Sequence, residues 1–191
     1  MGRKEQAEAS RAKIVEAARQ CFTAHGYEAT TVAAILRSAG MARGALYHYF
    51  PGGKRELFTA VFETINDEFH RRRDTVAEID SPLARLRAGI RVFLDLCTED
   101  DFARIALIDA PRLVPGQADR GSSYELLRSQ LEEATAAGEV RQFQVDVMAM
   151  ALYGAVRSAG EFVISASDRK HAATTASQSL DVLLDGLTTT K

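Results

Sequence analysis

From Ile14 to Leu187 the apolar side chains return at three- and four-residue intervals, and no run of alternating β-branched residues bounded by turns interrupts them. That period matches one face of a 3.6-residue turn and leaves no sheet to organise the chain, so the fold is read as all-α, with about nine helices. The first helix carries Ile14, Ala17, Ala18, Cys21 and Phe22 on one stripe and stops near Gly26. Thr31 is placed to cap a second, short helix with the face Val32, Ile35, Leu36 and Ala39, which Gly40 breaks where a tight turn is needed. A third short helix is expected from Ala42 to Phe50.

After Pro51-Gly52-Gly53 a long periodic segment carries Phe58, Val61, Phe62, Ile65 and Phe69 on one side. Ser81-Pro82, a cap followed by an N1 proline, starts a helix using Leu83, Leu86, Ile90, Phe93 and Cys97. A shorter helix spans about Phe102 to Asp109, and Val114 to Ser122, with Pro115, Gly116 and Gly121, reads as a loop. Helices follow over about 123–137, ended by Gly138, then 144–165 and 170–187.

Composition narrows the class. With 46% apolar and 26% charged residues in 191, the chain is long enough for one core, or a small module joined to a larger one, and is not disordered. The net charge of -2 conceals an uneven distribution: residues 1–54 hold eight Lys or Arg against four acids, so the remainder is acidic. A basic N-terminal segment beside an acidic body makes nucleic acid the partner to test. Cys21 and Cys97 lie far apart with no CxxC pair, and no histidine is spaced to complete a metal site. The N-terminus lacks the apolar stretch of a secretion signal. A cytoplasmic protein is expected, with reduced thiols, no membrane partner, no cofactor and no metal.

Between Val145 and Val156 apolar or small residues surround the helix axis, so two sides require burial, one in the chain's own core and the other against a second copy. A homodimer interface is expected from Met148, Ala151, Leu152, Ala155 and Ala159, with Leu180, Leu183, Leu184 and Leu187 of the last helix. A central place in a monomer core is the alternative.

The stretch Thr31 to Phe50 has the layout of a helix-turn-helix: two short helices around a glycine turn. In the second, Leu46 and Phe50 face inward, leaving Arg43, Gly44, Ala45, Tyr47 and His48 on the other side, with Tyr49 beside them. A solvated surface is ordinarily rich in Glu and Lys. Arginine pairs bidentately with guanine, small side chains lie against a thymine methyl, and Tyr47 and His48 donate to phosphate oxygens. Thr31 and Lys54 open helices where the amide dipole favours an anion; each taken singly is also explained as a cap and a solvated charge.

At these residues the sequence resembles the TetR family of bacterial transcriptional regulators. The match runs through Ile14, Ala17-Ala18, Phe22, Gly26-Tyr27, Thr30-Thr31, Ile35, Ala39-Gly40, Gly44, Leu46-Tyr47, Tyr49-Phe50, Lys54 and Leu57. The resemblance implies a homodimer with a three-helix DNA-binding domain, placed at 1–54, and a helical ligand-binding and dimerisation domain, placed at 55–191. It further implies that a small-molecule effector changes the separation of the two recognition helices and releases a double-stranded DNA operator. Three departures stand out: Ala42 lacks a side-chain cap where the family often has Ser or Thr, Pro51-Gly52-Gly53 is one residue longer than the commonest link, and Leu36 replaces a small alanine.

An enzyme is not expected. Gly52-Gly53-Lys54 has no preceding strand and no following Ser or Thr, which rules out a P-loop, and neither a GxSxG elbow nor an HExxH helix occurs. An effector pocket is drawn from Phe62, Phe93, Leu94, Ile105 and Ile108 as apolar walls, with Asp109, Tyr124, Tyr153 and Arg157 as polar groups, which suits a hydrophobic or aromatic ligand. A structural Arg157–Glu161 pair explains that spacing equally well. The function expected is a ligand-responsive repressor on a palindromic operator; a helical carrier or adaptor without sequence-specific DNA binding is the alternative.

Overall fold

A computed structural model describes residues 2–114 and 121–189. Among these residues there are nine α-helices, one π-helical segment and no strand: α1 (Arg3–Ala29), α2 (Val32–Ser38), α3 (Ala45–Tyr49), α4 (Gly53–Asp74), α5 (Pro82–Leu96), the π-helical segment Phe102–Asp109, α6 (Ala110–Leu113), α7 (Gly121–Ala136), α8 (Val145–Ser165) and α9 (Arg169–Asp185). The chain is all-α as the periodicity requires. Most of the loop expected at Val114 to Ser122, including Pro115 and Gly116, lies outside the described residues; Gly121 and Ser122 open α7.

The described residues form two compact units, one from 2–67 with 100–114, the other from 68–99 with 121–189. In the first, Ile14, Ala18, Phe22, Ile35, Leu46, Phe50, Leu57 and Phe58 are fully buried, so α1, α2, α3 and the start of α4 share one core. The helical path of α1 is broken at Gly26, whose φ of 74° and ψ of 169° turn the chain toward α2. Gly40, at φ 61°, turns it again between α2 and α3. Both are positions where any other L-residue would be strained. α3 begins at Ala45 rather than Ala42, because neither Ala42 nor Gly44 offers a side-chain acceptor for the free amides of the first turn.

In the second unit α5 packs against α7, α8 and α9. The Ser81 hydroxyl caps α5 by accepting from the Ala84 amide at 3.1 Å, and Glu139 reinforces that end, accepting from the Ser81 hydroxyl and the Leu83 amide at 2.9 and 2.8 Å. Gly160 of α8 is buried against α5: a β-carbon there would lie 2.9 Å from the Phe93 ring and 3.3 Å from the Cys97 sulfur. That close packing buries Cys97, whose thiol is pushed up to about 12 by burial.

α8 is mostly apolar or small over its first three turns and carries Asp146, Arg157 and Glu161; by length and composition alone it is the one helix among the described residues apolar enough to cross a membrane. Only one side is buried, through Ala149, Leu152, Val156, Gly160 and Val163, while Val147, Met150 and Phe162 are exposed. On α9, Leu180 and Leu184 are buried and Val182 and Leu183 are exposed. The leucines Leu152, Leu180 and Leu184, expected at a dimer interface, therefore belong to the unit's own core. Where apolar and small residues occupy nearly every direction, as over Val145–Val156, periodicity gives little signal for which side faces in.

Arg87 and Arg91 of α5 clamp Asp181 of α9 at 2.9 and 2.7 Å, and Arg87 also reaches Asp185 at 2.6 Å. Burial alone would raise the Asp181 pKa, but hydrogen bonds from Arg91 and Arg87 outweigh it and hold the carboxyl below its ordinary value of 3.8. A depressed native pKa contributes stability that is complete above the unfolded value and is lost as pH falls through the native one. Urea midpoints measured from pH 7 down to pH 2 are expected to drop more steeply for the parent than for Asp181→Asn; parallel curves would show that the clamp contributes nothing.

Candidate nucleic-acid interface

The turn from α1 into α2 is built before any outward-facing group is placed. Phe22, Tyr27 and Phe58 form an aromatic cluster with ring centroids 5.3 to 5.7 Å apart. The Thr30 hydroxyl donates to the Gly26 carbonyl at 2.7 Å, and the Thr31 hydroxyl accepts from the Ala34 amide at 3.2 Å, capping α2 as its position suggested. Lys54 serves the same turn. Its ammonium donates to the Thr30 carbonyl at 2.8 Å and lies 4.1 Å from the centroid of the Tyr27 ring. The side chain read as a phosphate contact is thus first a tie between α4 and the α1–α2 turn.

Leu46 and Phe50 are buried and hold α3 against the core, which leaves Tyr47 60% exposed and His48 exposed beside it. Arg43 and Gly44 are also exposed but lie in the turn preceding α3, while Ala45 and Tyr49 are half-buried. The His48 ring stands edge-on to Tyr49, centroids 4.7 Å apart.

Charge separates the two units. In the second, Arg71, Arg72, Arg73, Arg85, Arg87, Arg91, Arg128 and Arg157 each pair with a carboxylate. In the first, Arg19 and Arg104 pair with Asp101 and Asp109, whereas Lys4, Arg11, Lys13, Arg37 and Arg43 are exposed and form no ion pair among the described residues. A group of uncompensated cations around an exposed helix-turn-helix is the electrostatic footprint of a polyanion site.

A second arrangement in this unit was not legible in the sequence. The π-helical segment Phe102–Asp109 packs on α1. The Asp109 carboxylate accepts from the Tyr27 amide at 2.9 Å and from Arg104 Nε at 3.4 Å. The Arg104 guanidinium covers Gly26 so closely that a β-carbon there would collide with it. At the other end Asp101 holds Arg19, with Nε to Oδ2 at 2.7 Å, and caps its own segment by accepting from the Phe102 amide. Asp109, read as a ligand-facing acid, is therefore engaged with the α1–α2 turn. Arg104 and Asp109 are five residues apart, a spacing that an α-helical reading places on different sides of the helix.

The other residues proposed for an effector pocket fall in both units. Phe62 and Ile105 are buried and Ile108 is exposed in the first; Leu94 is buried and Phe93 half-buried in the second. The Tyr124 hydroxyl donates to the Asp146 carbonyl at 3.4 Å, Tyr153 is half-buried, and Arg157 pairs with Glu161 at 3.2 Å on an exposed surface. Among the proposed interface residues, Ala151 and Leu183 are exposed and Met148, Ala155, Ala159 and Leu187 half-buried.

An exposed helix-turn-helix on an all-α chain, with uncompensated cations around it, defines a helix-turn-helix DNA-binding regulator. Residues 14–61 match the family described as bacterial regulatory proteins, tetR family, and residues 83–187 match the tetracyclin repressor-like C-terminal domain. The chain belongs to the TetR family of transcriptional regulators, which are not enzymes. It is 42% identical over 69 residues to the HTH-type transcriptional repressor AcnR of Corynebacterium efficiens, covering 36% of this chain and 35% of that one. The structure of a TetR-family regulator from Pectobacterium atrosepticum superposes with a TM-score of 0.79 at 26% identity, covering 100% of this chain and 99% of that one. A γ-butyrolactone receptor described as ArpA-like superposes with a TM-score of 0.61 at 27% identity, over 92% and 99%. The chain spans about a quarter to a half of the length of the curated relatives it matches.

Removing the carboxylate at 109 leaves the Tyr27 amide and the Arg104 guanidinium without their acceptor. Asp109→Ala is expected to lower unfolding free energy by about 1 to 3 kcal/mol and to speed hydrogen exchange at the Tyr27 amide, with Asp109→Asn falling between. Unchanged exchange at Tyr27 would mean that the contact is not made in solution.

Proposed function

We propose that this regulator is a ligand-responsive repressor that binds a palindromic operator as a homodimer and is released by a small hydrophobic or aromatic effector. The observation that carries the reading is the outward face of the helix-turn-helix, with exposed Arg43, Tyr47 and His48 amid cations that no carboxylate compensates. Arg43 is assigned to a base edge, with Gly44 and Ala45 allowing close approach to the groove floor. Thr31, Tyr47, His48 and Tyr49 are assigned to phosphates. One Lys54 donor is engaged by Thr30. An ammonium has three, so the others remain for the DNA backbone.

DNA binding is assigned to 1–54, and ligand binding with dimerisation to 55–191. A single helix-turn-helix reads too few base pairs to find one site in a genome, and two copies about 34 to 36 Å apart on successive major-groove turns read twice as many. The exposed apolar side chains of α8 and α9 are assigned to that pairing. An effector that favours a different spacing needs a coupling of only about 1 to 3 kcal/mol to change occupancy 5- to 150-fold. Likeness to a γ-butyrolactone receptor over 92% of the chain supports a small-molecule effector. The protein acts in the cytoplasm, on the genome itself.

Selection of sheared genomic DNA on the purified protein at about 150 mM salt, followed by sequencing, is expected to recover an inverted repeat. No enriched site from folded protein would favour the carrier reading. Arg43→Ala is expected to lose about 1 to 3 kcal/mol of discrimination at one base pair of each half-site; an equal loss on all sequences would move Arg43 to the phosphate class. Gly154 is exposed and has open space at its β-carbon position, so a larger residue fits the protomer. Gly154→Glu is expected to sediment as a monomer with weak operator binding, and a dimeric variant would remove α8 from the interface.

A further inference from the structure

Two uncompensated cations lie on α1, outside the helix-turn-helix itself. The Arg11 guanidinium sits 5.0 Å above the ring of Phe50, the residue that ends α3. A β-carbon at Gly40, in the turn between α2 and α3, would lie 3.8 Å from the Lys13 ammonium. Both ends of the recognition element, its entry turn and its last residue, therefore have a cation from α1 beside them. Around Lys13 the surface is a shallow groove lined by Ala9, Ala12, Ser38 and Ala39, side chains too small to keep a bulky chain away. Glu16, also on that groove, accepts from the Gln20 amide at 2.9 Å and is not paired with Lys13.

We infer that Arg11 and Lys13 of α1 bind the DNA sugar-phosphate backbone flanking the recognition element, extending the contact surface beyond the residues of the helix-turn-helix. The inference rests on the reading of this face as the operator surface and adds to it. The Phe50 ring holds Arg11 in place without neutralising it, so the guanidinium is pre-positioned for a phosphate at a lower cost in side-chain entropy. Lys13 adds a point charge on a flexible stem. Neither has a base to read in this assignment, so both raise affinity on every sequence and leave discrimination to Arg43 and its neighbours. α1 thereby takes part in binding as well as in the core.

The test measures binding of the full chain against salt concentration, on the operator recovered above and on an unrelated duplex of equal length. Each phosphate contact contributes about 0.9 to the slope of log affinity against log salt, so Lys13→Gln should reduce the slope by about 0.9 per protomer, or about 1.8 for a dimer. Between 50 and 200 mM salt the variant dimer would then lose about 12-fold less affinity than the parent. The ratio of operator to unrelated affinity should not change. Lys13→Arg should keep the parental slope, Lys170→Gln in the second unit should change nothing, and Arg11→Gln should match Lys13→Gln if its melting temperature is unaltered. A parental slope in Lys13→Gln overturns the inference while the regulator reading stands. A parent protein that binds both duplexes equally overturns the regulator reading, and the slopes on the unrelated duplex still decide the inference; a parent that binds neither overturns both.

Discussion

The first unit depends on how the chain leaves α1. At Gly26 the backbone enters a conformation open to glycine, and the next amide, Tyr27, leaves the helical ladder and needs an acceptor. Asp109 supplies it from 82 residues away. The same carboxylate holds Arg104, which lies over the space where a β-carbon at residue 26 would be. One turn thus fixes three requirements together: a glycine, a distant acid, and an arginine long enough to bridge them. The short helices that follow have little intrinsic stability, since seven and five residues are well below the length at which an isolated helix persists in water. They form because this turn, and the tie from Lys54 to Thr30, deliver them to the core in the right orientation.

The π-helical segment follows from the same constraint. Within Phe102–Asp109 the hydrogen bonds close over five residues, with the Ala110 amide donating to the Ile105 carbonyl. Wider turns bring residues five apart onto one side, and Arg104 and Asp109 are five apart. An α-helix would rotate one of them away from the α1–α2 turn. The segment accepts the poorer backbone geometry of a π-turn, and the two ends are held by side-chain bonds, Asp101 to Arg19 and Asp109 to Tyr27. No local feature of FARIALID announces this, because its apolar residues suit an α-helix equally well.

That contrast explains what the sequence disclosed. Thr31, Gly40, Ser81-Pro82 and Gly138 were legible because caps and turns are short-range: the residue and its consequence lie within four positions. Helix existence was legible because periodicity averages over many residues. The start of α3 was misplaced by three residues because Ala42 neither caps nor breaks, leaving no local signal. The division of α8 into a buried and an exposed side is invisible in the sequence, since Leu152 and Met150 are equally apolar and only the packing of α7, α9 and α5 on α8 separates them. The roles of Asp109 and Lys54 were missed for a third reason. Both are polar groups near the expected site, and which partner each meets is decided by contacts far apart in sequence.

Charge placement completes the division of labour. In the second unit eight arginines are matched to acids on neighbouring turns or facing helices, and each exposed pair adds little stability by itself. Such matching mainly lowers the net field of that surface and makes it indifferent to a polyanion. In the first unit Arg19 and Arg104 are paired, with Asp101 and Asp109, but Lys4, Arg11, Lys13, Arg37 and Arg43 form no ion pair among the described residues even where acids are close in sequence: Glu16 bonds Gln20 rather than Lys13, and Glu5 bonds the Gly2 amide. Uncompensated like charges repel and cost stability unless something else binds them, so their concentration on one small unit is explained by a partner rather than by the fold. Residues 1–54, which contain the helix-turn-helix, hold eight Lys or Arg against four acids while the whole chain stays slightly acidic, at -2. Non-specific attraction to a polyanion then favours the segment that can also read sequence.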